Sequence, residues 1–189
     1  QLWKLLDEAD FILGQNIRKF DQKKINARFI LNGFAPPSSY RVIDTMEIAK
    51  SRFAFTSNKL EYMSDKLCTK YKKLKHDEFS GFTMWSECLK GNVKAFESME
   101  LYNRYDILST EELYLKLRPW DKKGPNLNIF DDVSEETACS CGSLEFVKNG
   151  FVYSNTGKFQ RFTCKKCGAE TRSKQNLLSK EKRKTLRSN

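Results

Sequence analysis

The chain has 189 residues, 39% apolar and 31% charged, a size and balance that suit one ordinary domain plus a small module. No apolar run nears the ~18 residues needed to cross a bilayer, and the opening QLWKLLDEADFILGQN lacks the basic start and small-residue cleavage site of a secretory leader, which argues against membrane-spanning and secreted classes. Of 34 Lys and Arg and 24 Asp and Glu, residues 138–189 hold 12 and 3, a local +9, leaving 22 against 21, or +1, for residues 1–137; a basic excess confined to one end marks a nucleic-acid-facing appendage.

Residues 1–9 read as an amphipathic helix with Leu2, Leu5 and Leu6 on one face. Phe11 to Leu13 then form a short strand closed by Gly14. Beyond Asp21 the helical spacing of Ile25, Phe29 and Ile30 runs to a stop at Asn32 and Gly33, before the Pro36-Pro37-Ser38-Ser39 loop. A second strand is expected from Tyr40 to Ile43, followed by Asp44-Thr45 and a helix carrying Met46, Ile48 and Ala49. Ser57 or Asn58 is the expected cap of a helix with Leu60, Tyr62, Met63 and Leu67. The basic run KYKKLKH reads as a solvated face, and its His76, the single histidine, as a surface or phosphate-contacting residue. The stretch around Trp85 reads as surface loop and short helix. A long helix starts near Val93, carries Phe96, Met99, Tyr102, Leu108, Leu113, Tyr114 and Leu117, and ends at Pro119.

Residues 118–137, with Pro119, Gly124, Pro125 and the acidic DDVSEE, have the composition of a linker. Phe146, Val147, Phe151, Val152 and Tyr153, then Phe159 and Phe162, flank a turn at Asn155-Thr156-Gly157 and predict a β-hairpin. The end, SKEKRKTLRSN, reads as a disordered basic extension.

Two short segments carry carboxylates in a suggestive context. In GQNIRKFD, residues 14–21, an Asp follows a strand end and opens a helix; it is either an N-cap or a group presented at the end of the sheet. In YNRYD, residues 102–106, helical spacing puts Tyr102 and Asp106 on one face. Either they address a common ligand, or Tyr102 packs in the core while Asp106 faces water.

Taken together, NxxxFD at 16–21, the strand-to-helix Asp44-Thr45 in RVIDTMEIAK, YxxxD at 102–106 and ELYLKLRPW at 112–120 followed by a cysteine ribbon resemble the tyrosine branch of the DEDD-type 3′–5′ exonucleases, of phage type, over residues 1–175. The resemblance implies an α/β ribonuclease H-like fold, partial here, followed by a small β zinc ribbon. It also implies two Mg²⁺ or Mn²⁺ ions held by four carboxylates. Asp21 and Asp106 are then metal ligands, Tyr102 orients the attacking water, and Asn16 faces nucleic acid. Gln15 replaces the family's usual histidine, and no first-strand DxE is present; Asp7-Glu8 lies inside the first helix. The chain therefore reads as a member missing its first three strands, a proteolytic, split-gene or spliced product. A partner polypeptide is expected to supply them. Cytoplasmic DNA, single-stranded or at 3′ ends, in a bacterial or phage-infected cell is the implied substrate. The alternative is a non-catalytic nucleic-acid-binding or complex-forming protein that keeps the scaffold.

The cysteines divide likewise. Cys68 and Cys88 stand alone among apolar neighbours and read as packing residues. Cys139, Cys141, Cys164 and Cys167 form a CxC and a CxxC knuckle, each followed by Gly and separated by 22 residues. This spacing favours one structural Zn²⁺ over free thiols or a disulfide. Zinc on four thiolates takes the module from +9 to about +7. Lys148, Lys158, Arg161, Lys165 and Lys166, interleaved with aromatics, suit single-stranded nucleic acid, although Phe151, Phe159 and Phe162 are expected to be the ribbon's core. The expected boundaries are 1–120 for the exonuclease part, 121–137 for the linker, 138–172 for the ribbon and 173–189 for the basic tail.

Overall fold

A computed structural model describes residues 1–72, 79, 81–130 and 137–187. His76, most of the basic run around it and the DDVSEE segment lie outside the described residues. The chain mixes helices and strands and divides into two units, Gln1–Leu117 and Arg118–Asn189. Among the described residues no helix is long and apolar enough to cross a membrane.

The first unit opens with α1 (Leu2–Asp7), β1 (Phe11–Gly14), α2 (Asp21–Leu31) and β2 (Arg41–Asp44). β1 and β2 pair in parallel, with Phe11 opposite Arg41 and Gly14 opposite Asp44; α2 makes the crossover that a parallel pair requires. The helices α3 (Thr45–Arg52), α4 (Leu60–Leu67), α5 (Phe82–Leu89) and α6 (Val93–Leu117) follow. α6 packs against α3, α4, α5 and β1. The core gathers Ile43, Ile48, Ala49, Met63, Cys68, Leu113, Tyr114 and Leu117.

The apolar stripes read from sequence are only partly buried. Of the α1 stripe Leu6 is buried, whereas Leu2 and Leu5 are exposed. No residue of α2 is buried, and Ile30 is 76% exposed. In α6 the last turns hold the core while Phe96 faces water. The reason is the size of the sheet. Parallel strands are normally covered on both faces, and two short strands offer too little surface to cover four or five amphipathic helices. Trp85 sits within α5 and Trp120 in a 3₁₀ turn at Arg118–Trp120, both exposed. Trp3 stacks on Phe34 and donates its indole N–H to the Ala35 carbonyl at 2.7 Å.

Two expected caps differ. α2 begins at Asp21, with Phe20 at the cap position and no side-chain cap bond, so Asp21 is not an N-cap. The cap position of α4 is Lys59, and Ser57 Oγ instead accepts the Lys59 amide at 3.3 Å.

In the second unit β3 (Phe146–Ser154), β4 (Gly157–Cys164) and β5 (Glu170–Arg172) form an antiparallel sheet in that order. A bulge between Lys148 and Phe151 shifts the β3–β4 register. Gly150 sits there at φ +68°, in the left-handed region that glycine tolerates. The segment after β5 is not a free tail. Leu177 donates its amide to the Lys158 carbonyl at 2.7 Å, Asn176 Oδ1 accepts the Lys158 amide at 3.3 Å, and α7 (Lys180–Thr185) is capped by Ser179. Phe159 and Phe162 are half-buried, but Phe151 is 42% exposed and is not core.

Candidate active site and metal centre

In the first unit the strand ends determine the site. Gly14 closes β1 because any Cβ there would lie 2.8 Å from Ile17, which folds back over the strand end. Asn16 then turns the chain at φ +60°, a conformation Asn adopts more readily than most residues. The turn is held from the neighbouring strand. Asp44, 4% exposed, accepts the amides of Asn16 at 2.9 Å and Arg18 at 3.3 Å, and also caps α3 through the Met46 amide at 3.0 Å. Thr45 Oγ donates to the Gln15 side-chain oxygen, and Gln15 Nε2 donates to the Asn58 carbonyl at 2.8 Å. Gln15 is thus a strut between the strand end and the segment before α4.

This frame delivers the chain to Asp21, exposed in the first turn of α2. Tyr102 and Asp106 lie one turn apart on α6, both half-buried. The Asp106 carbonyl accepts the hydroxyls of Ser109 at 3.2 Å and Thr110 at 2.7 Å as the helix enters the core. α6, which carries Tyr102 and Asp106, packs on β1, and the loop that follows β1 leads along the chain to Asp21. Asp21 and Asp106 offer the hard oxygen donors that Mg²⁺ or Mn²⁺ prefers. Two carboxylates do not make a full site for two ions, however, and among the described residues no group of three or more carboxylates gathers.

Two anchoring carboxylates were not singled out from sequence. Asp44 was noted only within its DT pair, yet an Asp directly before a helical run is an N-cap pattern. Glu112 on α6 accepts the amides of Thr69 at 2.8 Å, Lys70 at 3.1 Å and Tyr71 at 2.8 Å, and the Thr69 hydroxyl at 3.1 Å. Those backbone donors, Thr69 and Tyr71 foremost, hold its carboxyl down at about 2. They also seat Tyr71 against Tyr105, with ring centroids 6.2 Å apart. Partners more than 40 residues apart leave no local signal.

In the second unit Cys139, Cys141, Cys164 and Cys167 place their sulfur atoms within 4.8 Å of one another. Cys139 and Cys167 are 3.6 Å apart, and Cys141 and Cys164 are 3.7 Å apart. A tetrahedral zinc with Zn–S bonds of ~2.3 Å needs sulfurs roughly 3.8 Å apart. The four residues therefore fit such an ion. Burial alone would raise the Cys164 thiol, but the amides of Cys167 and Lys166 and the thiols of Cys141 and Cys167 outweigh it and bring it to about 6. Burial raises Cys139 and pushes Cys167 up to about 12.

The basic candidates differ in availability. Arg161 Nε donates to the Asn149 carbonyl and its other end approaches Glu170 at 3.9 Å, so it braces the bulge. Lys158 lies over the Phe151 ring. Lys148, Lys165 and Lys166 are exposed.

The family model of the RNase H superfamily matches residues 1–118. The chain belongs to the RNase H superfamily. No curated protein and no solved structure matches it. Membership of the RNase H superfamily suggests a nuclease-type function and implies nucleic-acid binding in general; RNase H-like nucleases usually use divalent metals.

Proposed function

We propose that the chain acts as part of a metal-dependent 3′–5′ exonuclease that hydrolyses terminal phosphodiesters of DNA, with the second unit as a zinc ribbon that helps hold the nucleic acid. The observation that carries this reading is the packing of α6, bearing Tyr102 and Asp106, on β1, whose loop leads directly to Asp21. In this reading Asp21 and Asp106 hold divalent ions and Tyr102 orients the attacking water. Mg²⁺ or Mn²⁺ supplies activation of that water and stabilisation of the leaving 3′ oxygen. The remaining carboxylates, a first-motif DxE, are supplied in cis or in trans, on strands that extend the two-stranded sheet.

The test supplies that DxE-bearing segment and measures shortening of single-stranded DNA from its 3′ end with Mg²⁺ or Mn²⁺. Asp21→Ala and Asp106→Ala should each abolish it while binding survives; Tyr102→Phe should slow it without loss of metal. Activity retained in either Asp variant overturns the site. The incomplete carboxylate set favours one second reading, a non-catalytic nucleic-acid-binding protein. Binding with no metal-dependent shortening in the completed complex would establish it.

A further inference from the structure

We propose that the tip of the β3–β4 hairpin is a stacking platform for unpaired nucleic-acid bases, built from the rings of Tyr153 and Phe151 around the Lys158 ammonium. This rests on the reading of the ribbon as a nucleic-acid module and specifies where it grips and which form it prefers.

The platform arises from the bulge. Residues opposite one another on an antiparallel ladder share a face. Phe146 faces Cys164 and Lys148 faces Phe162; beyond the bulge Phe151 faces Gln160 and Tyr153 faces Lys158. One extra residue in β3 thus puts Phe151 and Tyr153 on the face that carries Phe146, Phe162 and Cys164. With regular pairing they would point the other way. The bulge is fixed by Gln160 Nε2 donating to the Gly150 carbonyl at 2.7 Å and by Arg161 donating to the Asn149 carbonyl.

The aromatic side chains of this face divide by position. Near the cysteines Phe146 and Phe162 pack edge to face, with centroids 6.3 Å apart. At the tip Tyr153 is 68% exposed and Phe151 42%, although large exposed rings cost a small module core it can hardly spare. The Lys158 nitrogen lies 4.0 Å from the Phe151 centroid and 6.0 Å from that of Tyr153. β4 is held there by Asn176 and Leu177, so the rings are presented on a fixed backbone. On the other face the Arg172 guanidinium covers Phe159 at 3.9 Å.

Exposed rings with a cation between them, in a module of about +7 once zinc is bound, fit a ligand that offers flat apolar surfaces and phosphates together. Unpaired bases do so, whereas duplex bases are already stacked. Lys148 on the same face, with Lys165 and Lys166 exposed at the second knuckle, supplies phosphate contacts.

The experiment measures binding of the zinc-loaded full chain to a labelled oligothymidylate and to a blunt duplex of equal length, without Mg²⁺ or Mn²⁺, so that hydrolysis plays no part. Tyr153→Ala should weaken oligothymidylate binding about tenfold or more, leave duplex binding unchanged, and keep the slope against salt, because no charge is lost. Tyr153→Phe should bind as the parent does, since the ring and not the hydroxyl is used. Phe151→Leu, which keeps apolar bulk under Lys158, should weaken the single strand alone. Unchanged affinity in both ring-removing variants overturns the proposal, as does equal loss on duplex. A self-association or acidic-peptide affinity that Tyr153→Ala abolishes, with DNA binding intact, would assign the tip to a protein partner instead. Failure of the nuclease reading would appear in the Asp21 and Asp106 variants, not in these measurements.

Discussion

The carboxylate of Asp44, the last residue of β2, accepts the backbone N–H of Asn16, two residues beyond the end of β1, at 2.9 Å. A single buried side chain therefore ties the end of β2 to a residue 28 positions earlier in the loop after β1, and with the Arg18 and Met46 amides it satisfies three donors. Asp44→Ala should destabilise the first unit by about 2–3 kcal/mol, from the loss of a helix cap and of charge-assisted bonds to the loop. Urea unfolding followed by circular dichroism measures this. An unchanged midpoint would mean that water replaces the carboxylate without cost.

Glu112 gives a pH-dependent counterpart. Backbone donors of Thr69 and Tyr71 lower its carboxyl from 4.5 to about 2 in the folded chain. A depressed carboxylate contributes stability in full above its unfolded pKa and loses it as pH falls through the folded one. The stability gap between the parent and Glu112→Gln should be complete at neutral pH and close between pH 4.5 and 2. Thermal melts of both proteins across that range test it; a gap independent of pH would show that charge is not what matters.

Metal removal should act on one unit alone. One zinc per chain is expected, and structural zinc contributes ~10 kcal/mol or more to so small a module. Chelation or Cys164→Ser should unfold residues 138–172 and leave the helices of the first unit. DNA affinity and its salt slope should both fall, since the basic groups then no longer converge on one run of phosphates. Metal analysis with circular dichroism and salt-dependent binding reads all three. Loss of first-unit helix on chelation would contradict the division at Leu117 and Arg118.

Thiol chemistry should separate the cysteines in the same way. Burial, aided by the Glu112 charge, pushes the Cys68 thiol up to about 11, and Cys88 is buried as well. Because chelation unfolds the ribbon, its four thiols should then react with an aromatic disulfide reagent, and the other two, in the still-folded first unit, only after denaturation. Six fast-reacting thiols in the native chain would show that the α4–α6 packing opens readily.

Elements with a local cause were legible in the sequence. Pro119 ends the long helix that Phe96 to Leu117 announced, Gly14 closes β1, and the cysteine knuckles close on one another as their spacing implied. What escaped was set by tertiary context. Ile30 and Phe96 have the periodicity of core residues, yet whether such a stripe is covered depends on the width of the sheet. Phe151 is expected in the ribbon's core with Phe159 and Phe162, whereas the bulge at Gly150 sets it beside Tyr153 on an exposed stretch of the hairpin. The roles proposed for Asp21, Tyr102 and Asp106 rest on the order of the motifs along the chain, beside which the structure sets the packing of α6 on β1.

The placement of the buried cluster also bears on synthesis. Ile43, Ile48, Ala49 and Met63 are translated long before Leu113, Tyr114 and Leu117, and contacts so distant along the chain are slow to form. The amino-terminal half must emerge from the ribosome with its apolar residues unsatisfied and wait for the last turn of α6, where Leu117 is 1% exposed. Folding of the first unit is thus gated by its final residues. A nascent chain stalled before Leu113 should be a chaperone client, and one stalled well beyond Leu117 should resist proteolysis.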